Sequence, residues 1–166
     1  MDPARPPGLY LHGDFKAGKT WLGVYFAMQA LSHLPADQQA GALRYWSERR
    51  YIDDLEKKRW YDKIVAADPR NIEAWTEANT FEREFVKLQM ATILVLDNLF
   101  YSSLQDYRQA ELDWLLKERL DHGLTTVICA ARLPAPATQL RRLVQEHAVV
   151  VQLNPLYPEG VTDGAR

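Results

Sequence analysis

The spacing of apolar residues along this chain changes repeatedly, and each change marks a boundary between elements. Leu9-Tyr10-Leu11 is a short apolar run that predicts a strand over Gly8–His12. Apolar residues at helical steps follow, and a helix is expected over Thr20–Leu34, broken by Leu34-Pro35-Ala36-Asp37. A second strand is predicted over Ala42–Trp46, with Ser47 as N-cap of a helix from Glu48 to about Ala66. Asp68-Pro69-Arg70-Asn71 reads as a turn. Ile72, Trp75, Phe81, Phe85 and Leu88, mostly three or four apart, then predict a helix over Ile72–Leu88.

In the second half, Ala91-Thr92-Ile93-Leu94-Val95-Leu96 is an unbroken run suited to a strand buried on both faces of a parallel sheet. A helix from about Leu104 to Asp121 carries Leu112, Leu115, Leu116 and Leu120 as its apolar stripe, and Gly123 stops it. Thr125–Ala130 is a further strand, Leu133-Pro134-Ala135-Pro136 a rigid loop, Thr138–Glu146 a short helix and Ala148–Leu153 the last strand. No internal repeat is visible. Strands alternating with helices predict one three-layer α/β/α domain over 8–153, built on a parallel five-stranded sheet. A flexible lead at 1–7 and a tail at 154–166 are expected to flank it.

Composition leaves this picture standing and removes others. The chain's 166 residues suit one domain, and 47% hydrophobic with 25% charged residues is ordinary globular composition. No apolar run approaches a membrane span, and the N-terminus lacks a signal-peptide core. The single cysteine, Cys129, fits a reducing cytoplasm. A net charge of -2 means that any contact with nucleic acid must come from a local basic patch.

Between the first strand and first helix lies Gly13-Asp14-Phe15-Lys16-Ala17-Gly18-Lys19-Thr20, which fits the phosphate-binding P-loop, G-x-x-x-x-G-K-[ST], without mismatch. Glycines let backbone N–H groups turn around phosphate oxygens, and the following helix contributes its positive end. Lys19 can reach β- and γ-phosphates, and Thr20 can ligate Mg²⁺. Nucleotide contacts are expected from Gly13 through Thr20 and from Trp21. The strand Ile93-Leu94-Val95-Leu96 delivers Asp97, the Walker B pattern that places a carboxylate at the metal. Alone, Asp97 reads equally as a strand-ending turn residue.

The next residue, where many such ATPases carry a second acid, is Asn98. An amide orients water but does not accept its proton. Three readings follow: slow hydrolysis with Asn98 positioning water, another carboxylate such as Glu48 serving as base, or nucleotide binding as a structural switch. Glu48 also reads as a first-turn acid favoured by the helix dipole.

Gly8-Leu9-Tyr10-Leu11-His12-Gly13, Gly18-Lys19-Thr20-Trp21-Leu22, Arg44-Tyr45-Trp46-Ser47-Glu48 and the stretch from Leu112 to Ile128 together resemble the DnaC/IstB-type AAA+ ATPases, bacterial and phage helicase loaders and transposition helper ATPases. The resemblance spans about Gly8 to Leu153. It implies strand order 5-1-4-3-2 without a lid domain, ATP and Mg²⁺ as ligands, and a role in DNA replication or transposition. A replicative helicase or transposition partner is implied, and so is nucleotide-dependent self-assembly, with Arg142, in Arg141-Arg142-Leu143, reaching a neighbour's nucleotide. The loaders' polar sensor residue falls near Ala131, which has no hydrogen-bonding side chain, and Thr126 and Arg132 flank it. Because the first strand begins so early, the chain is expected to be an excised ATPase domain or a reduced relative.

Arg49, Arg50, Lys57, Lys58, Arg59 and Lys63 cluster with Tyr51, Trp60 and Tyr61 on one predicted helix, and the resemblance makes them candidates for single-stranded DNA. The interleaved acids Asp53, Asp54, Glu56 and Asp62 support an ordinary exposed helix instead. His12, His33, His122, His147 and Cys129 show no metal-ligand spacing. Two other readings remain beside an ATPase: a nucleotide-binding regulatory module with little turnover, and a small-molecule kinase. No guanine-specifying Asn-Lys-x-Asp motif occurs, which favours ATP.

Overall fold

The structure, a computed structural model, describes residues 8–99, 106–136 and 138–154. The expected lead at 1–7, the tail beyond Asn154 and the helix start at Leu104 lie outside them. Five strands, β1 (Gly8–Gly13), β2 (Leu43–Ser47), β3 (Ile93–Leu99), β4 (Thr125–Ala130) and β5 (Ala148–Leu153), form one sheet in the order β2-β3-β4-β1-β5. Every pairing is parallel, and the order is the expected 5-1-4-3-2 read from the other edge. The helices are α1 (Lys19–Ser32), α2 (Ala36–Gln39), α3 (Glu48–Ala67), α4 (Ile72–Met90), α5 (Asp106–Asp121) and α6 (Gln139–His147). Only α2, a single turn after Pro35, has no counterpart in the sequence pattern.

Right-handed crossovers decide which face each helix covers. The chain moves from β1 to the far edge β2 through α1, then steps back across the sheet through the remaining crossovers. Accordingly, Leu22, Phe26, Ala27 and Ala30 of α1 pack on Leu9, Leu11, Ile93, Val95, Val127 and Cys129 on one face. Tyr10, Leu94, Leu96 and Ile128 face the other way, onto Leu55 of α3, Leu88 of α4, Leu112 and Leu116 of α5, and Leu140 and Val144 of α6. The direction reverses between β1 and β4, so the crevice at their carboxyl ends is the topological switch point, where ligands bind in open α/β sheets.

Three local features fix the sheet and its helices, the first and last of them near that crevice and the second at the opposite end of the strands. Gly23 lets α1 lie close to the sheet, since a Cβ there would stand 2.6 Å from Cys129 Sγ. Arg119, fully buried, donates from Nη1 to the carbonyls of Leu88, Gln89 and Ala91 at 2.7, 2.9 and 2.8 Å, and so caps the end of α4. Burial lowers its pKa to about 10, which leaves it charged at neutral pH. In β3 the register shifts: Leu96 pairs with Ile128, but Leu99 pairs with Ala130, so β3 holds one extra residue.

That bulge moves a boundary. The strand does not end at Leu96 but continues through Asp97 and Asn98 to Leu99. Alternation places residues 93, 95 and 97 on the α1 face, and it would put Leu99 there too. The extra residue turns Leu99 into the opposite core, among Leu94 and Leu96. The apolar stripe expected on α4 also differs at its start: Ile72 is 79% and Trp75 57% exposed. The long helices α3 and α4 pack on each other there through Tyr61 and Phe81, whose rings stack 6.0 Å apart. Among the described residues no helix is long and apolar enough to cross a membrane.

Candidate nucleotide site

The loop Gly13–Gly18 leaves β1 at the switch point. Gly13 has φ 145° and no room for a side chain, because a Cβ would come within 2.0 Å of Leu153 O. Gly18, at φ 83°, is the left-handed residue from which α1 starts. Lys16 also adopts positive φ, at 63°. The Ala17 N–H donates to Asp14 O at 3.3 Å, which closes the turn. Lys19 Nζ bends back to donate to Gly13 O at 2.8 Å and Asp14 O at 2.6 Å, so the ammonium sits inside the loop.

At the second residue of α1 the two sequence signals meet. Thr20 Oγ1 donates to Asp97 Oδ1 at 2.8 Å, across 77 positions of sequence. Asp97 is only 4% exposed, and its other oxygen, Oδ2, accepts from Tyr45 Oη at 2.6 Å. Tyr45 is absent from the sequence-based site. The signal lay in the register: Ser47 stands opposite Asp97, and Tyr45, two residues earlier, shares its face. Burial and the hydrogen bond to Asp97 push the Tyr45 phenol well above its ordinary range.

This donor set fits Mg²⁺. The ion takes hard oxygen ligands, keeps several waters and is held by one or two protein oxygens together with phosphates. Thr20 keeps lone pairs for a metal while its O–H donates to Asp97. No group of three or more His, Cys, Asp or Glu that could hold a metal ion gathers among the described residues, here or elsewhere.

No protein-family model matches the chain, and no curated protein matches it. Solved structures do. AMPPCP-bound DnaA from Aquifex aeolicus matches over 92% of this chain with TM-score 0.56 and 13% identity. DnaI matches over 90% with TM-score 0.63 and 15% identity. The DnaC helicase loader matches over 92% with TM-score 0.57 and 14% identity. The chain has the AAA+ fold of these replication proteins. It spans 42% of that DnaA chain, 74% of DnaI and 81% of DnaC.

Around this AAA+ core the other candidate residues fall at different distances from the loop. Phe15 is 70% and Trp21 72% exposed, and the Trp21 ring stacks on Tyr25 at 5.6 Å. Asn98 is the bulge residue, at φ 61° with its side chain exposed. Asn tolerates this left-handed conformation better than most residues. Ala131 follows β4 and is tied to β3 by its N–H to Leu99 O at 3.0 Å. Thr126 lies near the opposite end of β4, accepting from Arg119 Nε at 3.2 Å, and so stands away from the loop. The Arg132 carbonyl accepts from Tyr10 Oη at 2.9 Å.

On α6, Arg142 is exposed, whereas Arg141 is partly buried. Burial, then the charges of Arg141 and Lys19, hold His12 below the usual histidine range. Arg141 is thus near enough for its charge to be felt at the end of β1 in its own chain, and Arg142, beside it, is the more exposed of the two. Glu48 is buried in the first turn of α3, immediately after the capping Ser47.

The basic residues of α3 are largely engaged. Arg49 and Arg50 stand 4.0 and 3.7 Å from Asp53 and Asp54, and Arg50 lies over the Trp46 ring at 4.1 Å. Lys58 pairs with Asp62 at 3.1 Å and Glu82 at 3.2 Å. Arg59 covers the Tyr107 ring at 3.8 Å. Lys58 and Arg59 border a groove of about 640 Å³ between α3, α4 and α5, while Lys57 is exposed.

Proposed function

We propose that this chain binds ATP with Mg²⁺ at the P-loop and acts as a helicase-loader-type ATPase in DNA replication. The observation that carries the reading is the Thr20–Asp97 hydrogen bond of 2.8 Å beside the loop, at the sheet's switch point. A phosphate-binding loop alone serves many chemistries. A loop whose threonine already meets a buried strand carboxylate is a metal–nucleotide site. The AMPPCP-bound DnaA of the same fold supports the nucleotide, and the loaders of that fold support the cellular role.

In this mechanism Lys19 exchanges the carbonyls of Gly13 and Asp14 for β- and γ-phosphate oxygens, and the loop N–H groups hold the same phosphates. Thr20 and Asp97 hold the cation, which neutralises phosphate charge when bound. Asn98 orients the attacking water without taking its proton, so hydrolysis is slow or depends on a partner. Arg142, exposed on α6, reaches the nucleotide of a neighbouring copy. Assembly engages a replicative helicase, and the exposed part of α3 around Lys57 contacts single-stranded DNA.

A second reading, a nucleotide-dependent switch with little turnover, is favoured by Asn98 and Ala131 together, since Asn98 supplies no base and Ala131 no side-chain hydrogen bond to phosphate or water. Fluorescent ATP titration tests the shared core. Lys19→Ala is expected to weaken binding about 10- to 100-fold, the worth of a charge-assisted contact. Wild-type protein that binds no ATP sinks both readings. Asn98→Glu then separates them, because phosphate release rises in a motor and stays at background in a switch. A chain that remains monomeric with ATP and single-stranded DNA excludes the role of Arg142.

A further inference from the structure

Asp97 is buried, yet among the described residues the groups that hydrogen-bond to its carboxylate are neutral hydroxyls, Thr20 on Oδ1 and Tyr45 on Oδ2. Neutral donors satisfy the oxygens without cancelling the charge, so the carboxylate stays available to a cation. The two hydroxyls differ in what else holds them. Thr20 belongs to the loop and helix that bind phosphate. Tyr45 comes from β2, and it spans two residues of strand to reach a carboxylate that faces Ser47 in register. Tyr45 is 45% exposed as a residue and Asp97 only 4%, so the buried Oδ2 is the group that depends more on the bond.

We propose that Tyr45 is a positioning residue of the metal subsite, holding the Asp97 carboxylate so that Oδ1 faces Thr20 and the divalent cation. The inference rests on the nucleotide reading above. A carboxylate fixed at one oxygen alone can swing about its Cβ–Cγ bond. With both oxygens held, the plane is set before the cation arrives. Groups that hydrogen-bond to a metal-ligating carboxylate typically contribute 10- to 100-fold to metal affinity. Tyr45 therefore acts on the part of ATP affinity that depends on Mg²⁺ and leaves the loop's own grip on phosphate alone.

The test compares wild type with Tyr45→Phe, which removes one hydroxyl and keeps the ring. Fluorescent ATP is titrated in Mg²⁺ and in EDTA, and Mn²⁺ binding to the ATP complex is followed by electron paramagnetic resonance. The expected result is that the affinity gained from Mg²⁺ shrinks about tenfold or more and the Mn²⁺ signal weakens. Affinity in EDTA stays at the wild-type value, while the ligand-free unfolding midpoint falls by a few degrees because the buried Oδ2 loses its donor. An unchanged or enlarged Mg²⁺ gain overturns the proposal. An equal loss in EDTA also overturns it by making Tyr45 a strut of the fold. Wild type that binds no ATP in either buffer removes the nucleotide reading itself, whereas intact wild-type binding with an unaltered variant removes only the role of Tyr45.

Discussion

Asn98 occupies a backbone position that its chemistry suits. At φ 61° in a strand bulge, an ordinary side chain crowds its own carbonyl, at a cost of about 1–2 kcal/mol. Asn98→Ala is therefore expected to lower stability by about 1 kcal/mol, or about 2–4 °C in unfolding midpoint, with Asn98→Gly at or above wild type. Scanning calorimetry of the pair checks this, and equal midpoints exclude the strain. The amide thus answers a conformational demand as well as a possible role in holding water. From sequence only its chemistry was legible: Asp97 followed by an amide where an acid is common. The bulge was not, because it exists only as a mismatch of register between β3 and β4.

At the scale of elements, α1 is set against the sheet by Gly23, and α1 carries Lys19 and Thr20 at its start. Gly23→Ala forces its methyl against Cys129 Sγ and Val127 Cγ1, for which 2.6 and 3.2 Å are available. Overpacking of this kind costs about 1–3 kcal/mol. Displacing α1 also moves Thr20 from Asp97, so Mg²⁺-ATP affinity falls together with the denaturation midpoint. Adding Cys129→Ala restores space, and a double-mutant cycle is expected to show coupling between the two positions. Additive losses disprove the contact. The helix and its apolar face were readable from spacing. The closeness of its approach was not, since it depends on which residue of β4 lies beneath Gly23. The exposure of Ile72 and Trp75 has the same origin: a helical period marks a face but does not say where the core beneath it ends.

Across the whole molecule, burial leaves several weak acids protonated in the fold. The Cys129 thiol is pushed from 9.0 to about 12, mainly by desolvation and then by the charge of Asp97. Burial also raises the phenols of Tyr10 and Tyr51. The unfolded chain releases these protons at ordinary values, so above pH 9 it binds fewer protons than the folded chain. These groups accordingly leave stability unchanged below pH 8 and lower it as pH rises through 9 and beyond. Urea midpoints between pH 7 and 10.5 check this, and Cys129→Ala is expected to flatten the first part of the fall. The sequence by itself determined the fold class, the strand order once the resemblance was drawn, and the P-loop with its distant Asp97. Those are properties of period and local motif, written in consecutive residues. The meeting of Thr20, Asp97 and Tyr45, the outward turn of Asn98, the divergence of Arg141 from Arg142 and the engagement of the α3 cations were decided by tertiary structure alone. Each depends on register and crossover between segments dozens of residues apart, and a linear pattern carries no such information.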